Sequence, residues 1–280
     1  MQTPPIPIED DAGDVVSKAQ SGLHFHDDAL ALDAGVSLAQ LHDARNGDGT
    51  DAVWRSLARP LELDATALVA LARRAWYPPT PPPADGFARF NTPFGGDMSV
   101  NNYLLWDCAT GDAALFDTGT DGTDALSLIR KRKLRLRDIF ITHTHADHIA
   151  ALESFVRATG AVVHVSEREP PVLAGAVTFA DGTDFAVGGL RIKTLDVCGH
   201  SPGQTAFFVN GGGAQATVIS GDALFADSMG KSLTHYREQR RNTAERILAL
   251  PEDTVIAPGH GPLTTVGFEK KHNPVFVAFF

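Results

Sequence analysis

Residues 139–148 read Ile139-Phe140-Ile141-Thr142-His143-Thr144-His145-Ala146-Asp147-His148. Three large apolar residues in a row, two of them β-branched, predict a buried strand. The polar run that ends it carries three imidazoles and a carboxylate within six positions. On an extended segment residues two apart point the same way, so His143 and His145 can grip one ion. The chain then turns into a helix near 148–159, where Ile149, Leu152, Phe155 and Val156 recur at helical spacing before Gly160 stops it. That turn sends Asp147 and His148 toward a neighbouring position.

Three more polar clusters stand just after stretches that read as strands. Gly199-His200-Ser201-Pro202-Gly203 follows 190–197, Gly221-Asp222 follows 216–220, and Pro258-Gly259-His260-Gly261-Pro262 follows 254–257. Residues 104–106 and 113–116 flank a turn at Thr110, Gly111 and Asp112 and predict a hairpin; 161–165 and 205–209 read as further strands, and 243–250 as a helix. Two β-layers with helices outside are the simplest packing of this α/β pattern. Loops leaving one edge of stacked sheets can meet at one site. Together they supply His143, His145, Asp147, His148, His200, Asp222 and His260, five of the eleven histidines in the chain. Imidazole and carboxylate together suit zinc, iron or manganese; calcium or magnesium would favour an all-oxygen set.

The Thr142-His143-Thr144-His145-Ala146-Asp147-His148 stretch resembles the HxHxDH motif of the metallo-β-lactamase superfamily, and the other clusters occur in the family's order over residues 86–280. The resemblance implies an αββα four-layer sandwich and two divalent metal ions, zinc being the expected metal with iron or manganese as alternatives. His143, His145 and His200 would hold the first ion, Asp147, His148 and His260 the second, and Asp222 would bridge them. Asp117, in Phe116-Asp117-Thr118-Gly119, matches an acidic position beside the first metal loop, where it orients ligands.

The implied activity is hydrolysis, with a hydroxide bridging the metals as nucleophile and Asp147 and Asp222 as its catalytic anchors. Asp222 is typical of branches other than the lactamases. The runs Pro258-Gly259-His260-Gly261-Pro262-Leu263-Thr264-Thr265 and Ala223 to Lys231, with Glu269 and Asn273-Pro274, resemble short bacterial glyoxalase II-type proteins, which open glutathione thioesters. In that group a basic residue after the glycine can meet the glutathione carboxylate, which makes Lys231 the candidate substrate contact. The sequence departs from the group at Ser232-Leu233-Thr234-His235 and in ending twenty residues after His260. Alternatives are a persulfide dioxygenase with one iron held by residues matching His143, His200 and Asp222, an acyl-homoserine lactonase, and a non-enzymatic regulator whose metal domain senses a ligand.

Composition bounds the rest. With 280 residues, 43% hydrophobic and 21% charged, the chain has room for a catalytic core and an appended module, without the signature of disorder or of a membrane protein. Five prolines in Pro78-Pro79-Thr80-Pro81-Pro82-Pro83 predict an extended spacer, dividing the chain into a helical accessory module (1–77), a linker (78–85) and a catalytic domain (86–280). Around Gly35 and Ser37 the module resembles a phage-repressor-like helix-turn-helix. Its first 75 residues hold twelve acidic against six basic side chains, within a net charge of −10, so nucleic acid is not an expected partner. One local basic run, Arg237 to Arg246, is the exception. The expected partners are a small-molecule substrate and a second copy of the chain in a homodimer, with no membrane. Met1 to Asp11 lacks the pattern of a signal peptide, which makes the cytoplasm the expected location. Two distant cysteines, Cys108 and Cys198, exclude a disulfide framework and read as buried thiols.

Overall fold

The computed structural model describes residues 6–79, 81, 84–96 and 98–280. Of the expected spacer, Thr80, Pro82 and Pro83 lie outside the described residues. The chain opens with helices α1 (Ala12–Gly22), α2 (Asp27–Ala34), α3 (Leu38–Arg45), α4 (Asp51–Ala58) and α5 (Ala65–Ala72). Side-chain oxygens satisfy the free N–H groups of their first turns: Asp11 with Asp14 on α1, Ser37 with Gln40 on α3, Thr50 on α4 and Asp64 on α5. Gly35, at φ 68°, makes the turn between α2 and α3. On α3, His42 and Arg45 both close on Asp27 of α2. Helix α1 has no counterpart in the sequence analysis, although its buried face of Ala12, Val15, Val16 and Ala19 recurs at helical spacing.

Strands β1 (Phe87–Pro93), β2 (Ser99–Trp106), β3 (Asp112–Phe116), β4 (Arg135–Phe140), β5 (Val162–Ser166) and β6 (Val177–Phe179) form one sheet in that order. Strands β7 (Asp184–Val187), β8 (Leu190–Asp196), β9 (Thr205–Gly211), β10 (Thr217–Gly221), β11 (Val255–Pro258) and β12 (Thr264–Thr265) form the other. The expected hairpin is β2–β3, with Leu104 opposite Leu115. Both sheets are mixed: β3, β4, β5 and β6 run parallel in the first, as do β10 and β11 in the second.

Three apolar clusters divide the molecule into layers. Tyr103, Leu105, Phe116 and Phe140 meet Ile192, Phe207, Val209 and Ile219 between the sheets. Helices α6 (Thr123–Arg132) and α8 (Leu152–Thr159) cover the outer face of the first sheet through Ile129, Leu152 and Phe155. On the outer face of the second sheet, Leu195, Val218 and Ile256 share one cluster with α9 (Tyr236–Arg246), α10 (Val266–His272) and the N-terminal helices, including Val16, Trp54, Leu57 and Leu68. The αββα order follows from sheets that each have two apolar faces to bury.

Four expectations need correction. The helix expected over 148–159 is split into α7 (Ala146–Ile149) and α8, because the His148 carbonyl accepts from Thr118 N at 2.8 Å and Ala151 N donates to Gly119. Helix α9 begins at Tyr236 rather than 243: its first turns are polar in sequence, yet Gln239 and Arg240 are buried. The basic run is no open patch, since Arg237 and Arg240 pair with Glu62 and Arg246 with Asp181. Neither cysteine is the buried thiol expected from the sequence: Cys108 is exposed in the β2–β3 turn and Cys198 is half-buried. No helix among the described residues is long and apolar enough to cross a membrane.

Candidate metal centre

The seven residues singled out in the sequence meet at one edge of the two sheets. His143 and His145 lie on the extended segment after β4, and Asp147 and His148 on the single turn of α7. The second sheet brings His200 between β8 and β9, Asp222 after β10 and His260 after β11. Three sets each put one ligand atom per residue within 4.8 Å of the others: His143, His145 and His200; His143, His148 and Asp222; Asp147, His148 and His260. Asp222 lies between the outer two. Its Oδ2 is 3.4 Å from His200 Nε2 and 3.5 Å from His260 Nε2, and its Oδ1 is 3.3 Å from His148 Nε2. Nε2 of His143 and Nε2 of His200 each stand 3.0 Å from Nδ1 of the exposed His145.

The outward nitrogens explain why the rings face inward. Nδ1 of His143 meets the Thr142 hydroxyl at 3.0 Å, that of His148 the Asp117 carboxylate at 2.8 Å, that of His200 the Lys231 carbonyl at 2.8 Å and that of His260 the Ser99 carbonyl at 2.7 Å. Each contact fixes a ring and leaves Nε2 for the centre. Asp117 does more than its expected role. It sits at φ 53°, accepts from the Thr142 N–H and hydroxyl at 2.8 Å each, and so holds the ligand loop as well as His148.

These groups fit a cation. His148 Nε2 and Asp222 Oδ1 are buried and neither has a hydrogen-bond partner, which is costly unless something else engages them. Burial, with the neighbouring imidazoles, holds His143 well below the usual histidine range, so it stays neutral and able to ligate. Burial would also depress His148 and His260, but carboxylates outweigh it: Asp117 and Asp222 push His148 up to about 10, and Asp222 and Asp147 push His260 up to about 11. In turn, these histidines overcome burial and hold the Asp222 carboxyl well below its usual range. The carboxylates thus favour positive charge at these two histidines, the kind of charge that bound cations would supply to the same carboxylates.

Backbone shape makes the room. A Cβ on Gly259 would lie 2.2 Å from Asp222 Oδ1 and 2.7 Å from His148 Cε1, and one on Gly230 would meet the Asp222 carbonyl at 2.2 Å. Glu169 escaped the sequence reading. Its Oε2 accepts from Thr144 N at 2.9 Å and its Oε1 from Ser201 Oγ at 2.6 Å and Gly203 N at 2.8 Å, tying the His145 loop to the His200 loop. The signal was available, since Glu167-Arg168-Glu169 also stands just after a strand. The Lys231 side chain is exposed and lies outside the ligand sets. Beside His200 a cavity of about 340 Å³ is lined by Arg168, Cys198, Ser201, Thr234, His235 and Glu238 among others.

A family model for the metallo-beta-lactamase superfamily matches residues 95–260. The probable metallo-hydrolase YqgX of Bacillus subtilis is 29% identical over 206 residues, covering 66% of this chain and 95% of that protein. The hydroxyacylglutathione hydrolase of Roseobacter denitrificans is 30% identical over 159 residues, covering 56% of this chain and 61% of that protein. Like other hydroxyacylglutathione hydrolases it matches, that protein is spanned over only about three fifths of its length. Among solved structures, ETHE1 from Myxococcus xanthus superposes with a TM-score of 0.59 at 28% identity, covering 67% of this chain and 83% of that one.

Proposed function

This chain belongs to the metallo-beta-lactamase superfamily and is one of its metal-dependent hydrolases, and we propose that it acts on a thioester such as an S-acylglutathione, using two divalent cations. The observation that carries the two-ion reading is the pair of ligand sets on either side of Asp222. His143, His145 and His200 would hold one cation, Asp147, His148 and His260 the other, with Asp222 between them. Zinc suits this donor set, as do iron and manganese. Bound cations would supply an activated water near neutral pH and polarise the substrate carbonyl.

The chain's own part is to hold the reactants. Asp222 and Asp147 anchor the centre as the catalytic carboxylates. The substrate carbonyl enters past His145, whose exposure makes it the solvent-facing side of the centre. The cavity beside His200 has the volume for a leaving group; Lys231, whose carbonyl meets His200 Nδ1 and whose exposed side chain lies outside the lining of that cavity, would meet a substrate carboxylate at the surface. A thiolate, with an intrinsic pKa of about 8.5, leaves without a strong acid, so no further proton donor is required. Likeness to proteins named hydroxyacylglutathione hydrolase supports the same substrate class. The helical N-terminal stretch acts in this proposal as an accessory module.

Metal analysis joined to an activity panel tests the proposal. Two ions per chain with turnover of S-lactoylglutathione is the expected result. One iron per chain with oxygen uptake on glutathione persulfide would replace it with a dioxygenase, and turnover confined to acyl-homoserine lactones would move the substrate to an oxygen ester.

A further inference from the structure

A histidine that ligates a metal through one ring nitrogen is oriented and made more basic by whatever the other nitrogen touches. By that measure the two ligand sets differ. In the first, Nδ1 of His143 and of His200 meets uncharged oxygens, the Thr142 hydroxyl and the Lys231 carbonyl. In the second, His148 has the Asp117 carboxylate at 2.8 Å. His260 has the Ser99 carbonyl at 2.7 Å and, 4.0 Å from the same nitrogen, Oε1 of Glu9. Glu9 lies far upstream of the residues matched by the family model.

The segment that carries Glu9 is fastened to the centre at several points. The buried carboxylate of Asp10 takes Ser228 Oγ at 2.6 Å and pairs with Lys18, whose Nζ also donates to the Met229 carbonyl at 3.1 Å. Ser228 and Met229 belong to the loop that leaves Asp222. On the other side, Gly261 stands at φ 74°, and a Cβ there would lie 3.2 Å from Glu9 N, so the segment runs directly against the His260 loop. Tyr77 donates to the Ile6 carbonyl and secures its start. Glu9 is thus held where its charge can act on His260.

We propose that Glu9 is a positioning residue for the Asp147, His148 and His260 set, so that the N-terminal segment is a working part of the metal centre. The carboxylate acts through His260: it favours the proton on Nδ1 and so strengthens Nε2 as a donor to the cation. The inference rests on the two-ion reading above for the identity of the ion affected. It also separates the sets, because no part of the N-terminal segment backs His143, His145 or His200 in the same way among the described residues.

The test is a titration of the metal-free full chain with Zn²⁺ against a chromophoric chelator, repeated with Co²⁺ to follow the visible spectrum. Glu9→Gln keeps the size and removes the charge; Glu9→Asp keeps the charge. For Glu9→Gln, one of the two ions is expected to bind roughly 10-fold more weakly while the other is unchanged. Glu9→Asp should recover most of that loss. Melting of the metal-free variants identifies any that misfold, and Glu9→Ala then serves as the second variant. Unchanged binding of both ions in Glu9→Gln, or equal loss at both, would overturn the proposal. A wild-type stoichiometry of one ion would overturn the two-ion reading instead. The Glu9→Gln to wild-type ratio at that single ion would still decide the role of Glu9.

Discussion

At the scale of single residues, Asp222 concentrates the chemistry. It is a buried carboxylate flanked by imidazoles of four histidines within 4 Å, and one of its oxygens has no hydrogen-bond partner. Asp222→Ala should therefore lower turnover by about 100-fold or more, since loss of even an outer contact to a ligand costs 10–100-fold. The metal-free variant should melt close to wild type; near-normal turnover would end the binuclear mechanism. A second buried acid has a different role. Glu269, noted in the sequence as part of a family-like run, accepts from Thr264 Oγ1 at 2.6 Å, Asp227 N at 3.0 Å and Asn273 Nδ2 at 2.8 Å. Burial, then the charge of Asp227, pushes its carboxyl up to about 8. The folded state keeps this proton where the unfolded chain has lost it, so stability falls as pH rises from about 4.5 to about 8 and levels off above. Glu269→Gln, which resembles the protonated form, should flatten that part of the melting-temperature profile. An unchanged slope would show that Glu269 is ionised in the fold.

Among elements, the ligand loops depend on how closely β10 and β11 run. These strands are parallel, and the turns beyond them bring Gly259 N to the Gly221 carbonyl at 2.9 Å. That approach needs a residue without a side chain, since a Cβ at 259 would overlap both Asp222 and His148. Gly259→Ala is expected to reduce metal content below one ion per chain even in variants that fold, as read by elemental analysis of the purified protein; full occupancy would show that the loop has slack. Helix α9 makes a similar point about sequence signals. Its opening turns look like a solvated basic stretch, yet Arg240 is buried with its guanidinium on Glu62 and on the Val275 carbonyl. Local pattern could not reveal a partner so far away in the chain.

Across the whole molecule, the centre joins the two sheets. His143 to His148 come from the first sheet, and His200, Asp222 and His260 from the second. A bound cation crosslinks these layers in the folded state and has no equivalent site in the unfolded chain. Each ion at about 100 times its dissociation constant would stabilise the fold by about 2.7 kcal/mol. Chelation should then lower the melting temperature by roughly 5–10 °C per ion, and readdition of metal should restore it. A melting temperature indifferent to metal would mean that the loops are fully formed without it.

What the sequence indicated by itself was the layered α/β class, which the fold bears out, and a set of seven candidate ligands, which the fold brings together. Both are local signals: strand runs ended by short polar clusters, and a spacing of two on an extended segment that turns His143 and His145 the same way. Asp117 was legible as a helper only through the family resemblance of Phe116-Asp117-Thr118-Gly119. Only the tertiary structure decided what stands behind each ligand. Lys231, read as a substrate contact, also orients His200 through its carbonyl; Glu169 ties two loops; Glu9 reaches His260 across most of the chain. Such contacts are fixed by the approach of segments distant in sequence, whose charges and carbonyls carry no periodicity. The HxHxDH stretch names candidate ligands for a cation, and the fold supplies the carboxylates and carbonyls that aim their rings.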